Sequence, residues 1–434
     1  MASINKKVFS LLSTNIVFQA IGVITGLFLA RYLGPELRGK WAVILYYPML
    51  VANISAMGID TYVSRGMIKN KYSKGHVIDF IFKYALTIGL LGIGLIWLFT
   101  NVVKTEEISE LKDQIVIAAF LIPFSILNLL VYSAELGYGR VWNYNLGRIV
   151  FSFCYLFALV ILYTCNSVTL TNLAFALVIV TFIAAFTTLY FSGFTLLKLL
   201  TRFKSHNFQI LVKAFPFGLS NMVLNILSQL PLGLLTIYAE AEMIGFFTIA
   251  LAASSIHGIF GTMIGRVLLS GENLKAEIRN KHISFLRVSL FVYLLITIGV
   301  FIILPYLIHI LYGPPYRYSI GLAYFLVPFT VFITLNNSID DFLKSMDIWK
   351  IGLISRICSI LIISVLGIIL LRNDTIELFC LLLAITEFLR LIALIIILSA
   401  KLQININNII LITQDDFREM IKNLSSLRHK YLNK

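Results

Sequence analysis

Residues 30–45 read ARYLGPELRGKWAVIL, a polar corner between two long apolar runs. Gly34 and Gly39 stand at the spacing of a phosphate-binding loop, but Trp41 occupies the position where that loop needs a magnesium-binding hydroxyl. A glycine can instead end one helix in a left-handed turn, and Pro35 can begin the next. Gly39 would let two helices approach closely. We therefore interpret the stretch as a tight corner that joins two helices.

The runs on either side of this corner belong to a chain-wide pattern. Of the 434 residues, 59% are hydrophobic and 13% are charged, whereas soluble proteins carry about 25% charged residues. About 20 apolar residues cross a bilayer as a helix. The first run lacks a signal-peptide cleavage site, so we expect it to remain as a helix. The sequence predicts an all-α integral membrane protein with twelve spans, numbered here in order: 8–30, 41–63, 78–100, 114–134, 148–166, 170–194, 214–238, 243–265, 284–311, 318–338, 351–371 and 376–399.

The cationic residues set the predicted orientation. With both termini in the cytoplasm, 27 of the 35 Lys and Arg residues lie inside and seven lie outside. Because Lys and Arg accumulate in cytoplasmic loops, we expect a multi-pass protein of the bacterial inner (plasma) membrane with this orientation. Loops that face anionic lipid account for the net charge of +14, so no nucleic-acid partner is expected. The tail 401–434 is predicted to be a cytoplasmic amphipathic helix on the membrane.

The chain also repeats itself. A shift of 206 positions aligns spans 1 and 2 with spans 7 and 8, and LIPFS at 121–125 with LVPFT at 326–330 in a second block. Six spans per repeat give both repeats the same orientation. The sequence therefore predicts two parallel, pseudo-twofold-related six-helix lobes, 1–205 and 206–400, with a central substrate cleft. The aligned pairs are Leu29 and Leu235, Tyr32 and Tyr238, Glu36 and Glu242, Gly39 and Gly245, and Leu45 and Leu251.

Polar residues inside the spans are the strongest functional candidates. Asn15 and Gln19 share one face of span 1, and Asn221, Asn225 and Gln229 share one face of span 7, because each series is spaced by four. The repeat relates the two series, so we expect both to face the cleft. An equally weighted alternative is that these amides only join neighbouring helices by hydrogen bonds.

Charged residues near the predicted cytoplasmic ends form a second group of candidates. Asp60 and Arg266 occupy equivalent positions of the repeat, and one hypothesis pairs them as an inner gate. Glu135, Arg148 and Arg356 could receive an anionic head group, because arginine favours phosphate. Ordinary interfacial and loop charge is the alternative for all five residues.

Other chemistries receive little support from the sequence. The four cysteines form no CxxC motif and the six histidines form no HxxxH or HExxH motif, so neither a metal site nor a disulfide is expected. The longest outside segment, 101–113, carries no catalytic set of residues. We therefore expect a protein that is not an enzyme and that needs no cofactor.

Three stretches resemble the polysaccharide flippases. They are ARYLGPELRGKWAVIL, MGIDTYVSRG at 57–66 and AEAEMIGFFTIALAAS at 239–254. These flippases are the O-antigen and capsule-repeat translocases of the multidrug/oligosaccharidyl-lipid/polysaccharide (MOP) exporter superfamily, and the resemblance covers residues 5–400. It implies alternating access that carries an undecaprenyl-pyrophosphate-linked oligosaccharide to the outer leaflet. Membrane lipid and the polysaccharide polymerase or chain-length machinery are the implied partners.

The chain departs from related lipid II flippases at one feature. Those proteins carry arginines on the first two helices, where this chain has Gln19, Thr25 and Asn53. The resemblance thus adds Asn53 to the polar cavity, and pyrophosphate recognition is expected from other cations, namely Arg31, Arg65, Arg266 and Arg356. A cation-coupled multidrug antiporter and a membrane polysaccharide polymerase remain as alternatives. Coupling to the membrane potential, to H⁺ or to Na⁺ also stays open.

Overall fold

The described secondary structure is entirely helical. A computed structural model of the chain describes residues 2–64, 72–103, 106–193, 205–255, 275–346, 348–411, 413, 414 and 416. A 3₁₀ turn, Pro314–Tyr316, interrupts the series of α-helices. These helices are α1 (Ala2–Ser55), α2 (Ile59–Ser64), α3 (Lys74–Val102), α4 (Glu106–Glu110), α5 (Lys112–Ala119), α6 (Leu121–Gly137), α7 (Val141–Thr164), α8 (Leu170–Phe191), α9 (Ser205–Tyr238), α10 (Ala241–Ser254), α11 (Lys275–Tyr312), α12 (Tyr318–Ser345), α13 (Trp349–Arg372), α14 (Ile376–Leu402) and α15 (Asn407–Ile410).

The membrane spans agree with the prediction. Ten described segments are long and apolar enough to cross a membrane, and the first of them, Val17–Ser55, has 39 residues, about twice the length that one crossing needs. Gly34, with φ 71° and ψ 176°, breaks that segment into two helices. The shorter apolar helix α10 is the described part of predicted span 8. The chain is therefore an all-α, multi-pass membrane protein whose described segments match the twelve predicted spans.

Span 2 differs from its prediction as a continuous helix over 41–63. Helix α1 ends at Ser55, and α2 begins only at Ile59. Met57 and Gly58 have φ values of 46° and 72°, so the backbone is left-handed at two consecutive positions. The apolar run continues across this break, which is why hydropathy did not reveal it. The Tyr84 hydroxyl donates a hydrogen bond of 2.7 Å to the Ser55 carbonyl that the break leaves free.

Two glycines confirm the predicted close approach at the corner. A Cβ atom on Gly39 would overlap the carbonyl oxygen of Ala241, and a Cβ on Gly245 would overlap that of Pro35. Gly245 is Gly39 shifted by 206 positions, and Ala241 is Pro35 shifted by the same number. Each repeat therefore makes the same contact with the other, as expected at a twofold-related interface.

The backbone divides into two compact units. The first comprises residues 1–249 and 311–316, and the second comprises 250–310 and 317–434. The first unit contains α1–α9 and α10 up to Ile249, so it includes the complete first repeat and the first part of the second. The lobe boundary at 205/206 remains a prediction from the repeat.

The beginning of the tail, predicted to lie on the membrane surface, packs against helices of the second unit. Ile409 in α15 is fully buried in an apolar cluster with residues of α11, α12 and α14. Asp416 accepts hydrogen bonds from Ser284 and, at 2.9 Å, from Arg287 of α11. Residues 417–434, the larger part of the predicted membrane-surface helix, lie outside the described residues.

Candidate functional site

A polar cavity lies inside the first unit, where α1, α2, α6 and α9 meet. Its volume is about 230 Å³. The turn 56–58 and three apolar side chains form part of its wall, so the break in span 2 exposes backbone to the cavity. Irregular backbone at membrane depth is tolerated where it lines such a space. The remaining lining residues are four of the predicted candidates: Asn53, Asp60, Asn221 and Asn225.

Hydrogen bonds fix the amides of α9 against α1 and α2. Asn225 Nδ2 donates to the backbone carbonyl of Asn53 at 3.2 Å. Asn221 Nδ2 donates to Thr61 Oγ1 at 2.6 Å. A Cβ on Gly218 would overlap the Met57 carbonyl, so α9 also touches the turn of span 2 directly. The amides thus line a cavity and also join helices by hydrogen bonds. That both series face the cleft between the lobes stays a prediction.

The carboxylate of Asp60 interacts with the backbone N–H and hydroxyl of Thr61 and with the Asn221 side chain. Asp60 Oδ1 is buried and accepts no hydrogen bond, while Oδ2 lies 3.4 Å from Thr61 Oγ1. Among the described residues no Lys or Arg forms an ion pair with Asp60. Arg266, the predicted gate partner, and Arg65 both lie outside the described residues. The inner gate therefore stays a prediction.

The remaining stripe residues do not line this cavity. Gln19 Oε1 is buried and accepts no hydrogen bond, and Gln229 is half-buried on α9. The side chain of Asn15 lies outside the described part of α1. Arg148 lies near the span 1 stripe, because its guanidinium stacks 4.2 Å from the ring of Phe18. Its Nη1 also donates to the Tyr144 hydroxyl at 2.9 Å.

Glu135 is held by other side chains. Its carboxylate is completely buried and lies 2.5 Å from Lys74 Nζ. Ser192 Oγ and Asn143 Nδ2 donate to it at 2.7 and 3.1 Å. These bonds tie together α3, α6, α7 and the end of α8. In this conformation Glu135 acts as a structural anchor, and a contact with a head group would require these bonds to break.

Arg356 belongs to a buried ion cluster in the second unit. Its Nη2 lies 2.8 Å from Asp340, which also pairs with Arg390. Arg390 pairs in turn with Glu387 at 3.1 Å, as their spacing of three on one helix predicts. Asn336 Nδ2 donates to Glu387 at 2.8 Å. The charge of Asp341 also acts on Arg356, so a head-group contact by Arg356 would require the cluster to open.

The predicted outside ends carry several polar contacts. Arg31 is exposed, and its Nε donates to the Leu311 carbonyl at 2.6 Å. Lys40 pairs with Glu110 at 2.7 Å. Glu107 accepts a hydrogen bond of 2.9 Å from the Ala241 N–H, and burial raises the pKa of this carboxyl. Among the described head-group candidates, Arg31 is thus exposed to solvent, Arg148 is half-buried and Arg356 is buried.

Sequence reasoning missed two parts of the site. Thr61, which bonds Asn221, lies one residue beyond the candidate Asp60, and an isolated threonine gives no signal of its own. The turn 56–58 was missed as well, although a glycine at position 58 inside an apolar span was a usable sign of a break.

Solved structures of low sequence identity share this fold. The lipid II flippase MurJ in an inward closed conformation superposes with a TM-score of 0.75 at 16% identity, over 98% of this chain and 92% of that one. An inward-facing multidrug resistance MATE transporter of the MOP superfamily gives 0.64 at 14% identity, over 91% and 98%. A MOP-superfamily transporter from Pyrococcus furiosus gives 0.62 at 14% identity, over 91% and 96%. No protein-family model and no curated protein matches the chain. The likenesses show that this chain shares the fold of these transporters.

Proposed function

We propose that the chain is a flippase of lipid-linked saccharides in the bacterial inner membrane, with both termini in the cytoplasm. Its substrate is an undecaprenyl-pyrophosphate-linked repeat unit of O-antigen or capsular polysaccharide, which it carries to the outer leaflet by alternating access. One observation carries the proposal: amides from both repeats, Asn53 in the first and Asn221 and Asn225 in the second, meet in one membrane-embedded cavity. The overall likeness to the lipid II flippase MurJ supports it.

The energetics of the substrate explain why such a cavity is needed. A saccharide carries many hydroxyl groups, and each polar group that enters hydrocarbon without a partner costs several kcal/mol. Amide side chains donate and accept hydrogen bonds, so they can replace water around hydroxyls. A path lined with such groups removes most of the barrier that the lipid interior presents.

The cavity is smaller than the proposed substrate requires. A volume of about 230 Å³ lies below the roughly 300–1,000 Å³ of typical small-ligand pockets. Substrate entry therefore requires α9 to move away from α1 and α2. The two hydrogen bonds from Asn221 and Asn225 are the contacts that must break in this step.

Asp60 supports a second candidate function, that of a cation-coupled multidrug antiporter. Asp60 brings a carboxylate into the cavity, as a cation-coupled multidrug antiporter would require. An antiporter of this kind would make cells that express it resistant to cationic dyes, and Asp60→Asn would abolish the resistance. Unchanged dye sensitivity in expressing cells would dismiss this function.

Gene deletion tests the flippase proposal. Cells that lack the protein should accumulate lipid-linked repeat units on the cytoplasmic leaflet, and a plasmid copy should restore export. The double variant Asn221→Leu/Asn225→Leu should fail to restore it, although it reaches the membrane at the wild-type level. Asn373→Leu, which replaces an exposed amide after α13, should restore it fully. Deletion without any accumulation would overturn the proposal.

A further inference from the structure

A cation without a counter-charge lies in the corner of α1, at the predicted outer side of the first unit. Arg38 is half-buried and follows the break at Gly34. Its Nε is shielded from solvent and has no hydrogen-bond partner. Among the described residues no carboxylate pairs with Arg38, and the acids of the same corner, Glu36 and Glu110, both pair with Lys40. The described part of the chain therefore leaves this guanidinium unneutralised.

Tyrosine side chains surround the guanidinium. Those that interact with it electrostatically are Tyr155 of α7, Tyr312 at the end of α11 and Tyr316 of the 3₁₀ turn, and all three belong to the first unit. Tyr316 is buried, and its hydroxyl donates to the Ala30 carbonyl at 2.9 Å. The Tyr312 ring packs edge-on against the Tyr316 ring, with centroids 6.0 Å apart. These contacts fix the tyrosines of this corner without neutralising Arg38.

The cluster of Arg38, Tyr155 and Tyr312 presents hydrogen-bond donors. A guanidinium carries five N–H donors and no acceptor. Among the described residues the hydroxyls of Tyr155 and Tyr312 make no hydrogen bond, and the charge of Arg38 acts on both of them. A tyrosine oxygen that accepts from the guanidinium still has its own proton to donate. Donors from three helices, α1, α7 and α11, thus converge around one positive charge.

This arrangement discriminates between classes of ligand. The charge of Arg38 repels a cation, and a neutral sugar needs acceptors as well as donors. A carboxylate presents its two oxygens in one plane, whereas the tetrahedral oxygens of a phosphate can accept from donors on different sides. Arginine also pairs with phosphate through two parallel N–H···O bonds. The cluster therefore suits a phosphate group.

We propose that Arg38, Tyr155 and Tyr312 bind the phosphate group of a lipid at the predicted outer face of the membrane. Position 38 falls between predicted spans 1 and 2, at the level of the lipid head groups. Two lipids carry this chemistry, an anionic phospholipid of the outer leaflet and the polyprenyl pyrophosphate of the proposed substrate after it has crossed. The site does not rest on the proposed function, whereas the second source of its phosphate does.

Native mass spectrometry of the full-length protein in detergent measures lipid binding without a transport assay. The probes are phosphatidylglycerol, undecaprenyl pyrophosphate and undecaprenol, which has the same tail without a phosphate. At least one phosphate lipid should bind the wild type about tenfold more tightly than Arg38→Gln, because hydrogen bonds to a charged group are strong. Undecaprenol should bind both proteins alike. Arg372→Gln, which removes an exposed cation at the end of α13, should bind as the wild type does.

The two phosphate lipids distinguish the two sources. Dependence on Arg38 that is confined to phosphatidylglycerol identifies a phospholipid site, and dependence that includes undecaprenyl pyrophosphate identifies a site for the carrier lipid. Equal binding of both lipids by the wild type and Arg38→Gln would overturn the site, as would an equal loss of undecaprenol binding. Intact export after gene deletion would refute the flippase function and leave a phospholipid site standing.

A second variant covers the case in which Arg38→Gln fails to fold. Tyr155→Phe/Tyr312→Phe keeps the charge and both rings and removes two hydroxyl donors, so its affinity for the phosphate lipid should fall severalfold while its affinity for undecaprenol stays the same. Unchanged affinity for the phosphate lipid in the folded double variant would also refute the arrangement.

Discussion

Gly39 and Gly245 make the same backbone contact on opposite sides of a pseudo-twofold axis. Gly39 touches the carbonyl of Ala241, and Gly245 touches that of Pro35. The two contacts are related by the shift of 206 positions that the sequence repeat predicts. Neither position has room for a side chain. The corner at residues 30–45 is therefore an interface between the two repeats.

This contact predicts a strong effect of small substitutions. Gly39→Ala should lower the stability of the protein by about 1–3 kcal/mol or more, because the added methyl group meets backbone that cannot rotate away. Gly94→Ala in α3 is the matched control, since a Cβ there meets nothing within 4 Å. Thermal unfolding in detergent measures both. Equal melting temperatures for the two variants would contradict the close approach.

The buried ion cluster predicts a rescue experiment. Among the described residues, Arg356→Leu leaves Asp340 and Glu387 with Arg390 as their one positive partner, and the substitution should cost about 3–5 kcal/mol. The double variant Asp340→Leu/Arg356→Leu restores neutrality and should recover most of the loss. Thermal unfolding of the single and double variants provides the measurement. If the double variant were less stable to heat than Arg356→Leu, charge balance would not be what stabilises the ion cluster.

The tail contact predicts a dependence on pH. Burial opposes ionisation of Asp416, but hydrogen bonds from Ser284 and Thr413 and the charge of Arg287 outweigh it and lower the pKa of Asp416. A lowered pKa in the folded state stabilises docking above the unfolded pKa of about 3.9. This stabilisation disappears as the pH falls through the lower, folded value.

A fluorescent label on the tail reports its docking through anisotropy. We expect constant, high anisotropy from neutral pH down to about pH 4 and a fall below it. Asp416→Asn should give low anisotropy already at neutral pH, whereas Asp374→Asn, at an exposed turn, should behave as the wild type does. A pH profile of Asp416→Asn identical to that of the wild type would show that other contacts hold the tail.

The charge of the proposed substrate predicts a response to voltage. A head group of charge near −2 that moves outward gains roughly 2 × 2.3 kcal/mol per 100 mV of inside-negative potential. In proteoliposomes that contain labelled lipid-linked saccharide, an inside-negative K⁺ diffusion potential, set up with valinomycin, should therefore increase the extent of flipping. A matched potential of opposite sign should decrease it. Flipping that persists unchanged after the potential is collapsed would rule out this driving force.

Much of the fold follows from local sequence patterns, each of which can be read within a short segment or a pair of aligned segments. Hydropathy locates the membrane spans because the lipid interior acts on each segment separately. The sequence repeat predicts the twofold relation, because Gly39 and Gly245 occupy equivalent positions of the two repeats and are expected to have similar surroundings. The spacing of Asn221 and Asn225 by four places both on one face of α9. The sequence could also pair Glu387 with Arg390, since they are three residues apart on one helix.

The tertiary structure decided which polar residues share a space. Asp60 and Asn221 lie 161 positions apart in the chain, and Asp340 and Arg356 lie on different helices. Whether a charge is neutralised depends on neighbours that no local pattern specifies. The break at 56–58 was likewise decided by packing, because Gly218 of α9 and Tyr84 of α3 support a turn that hydropathy alone does not reveal. The sequence by itself determined where the chain crosses the membrane; only the assembled helices determined which charges remain available.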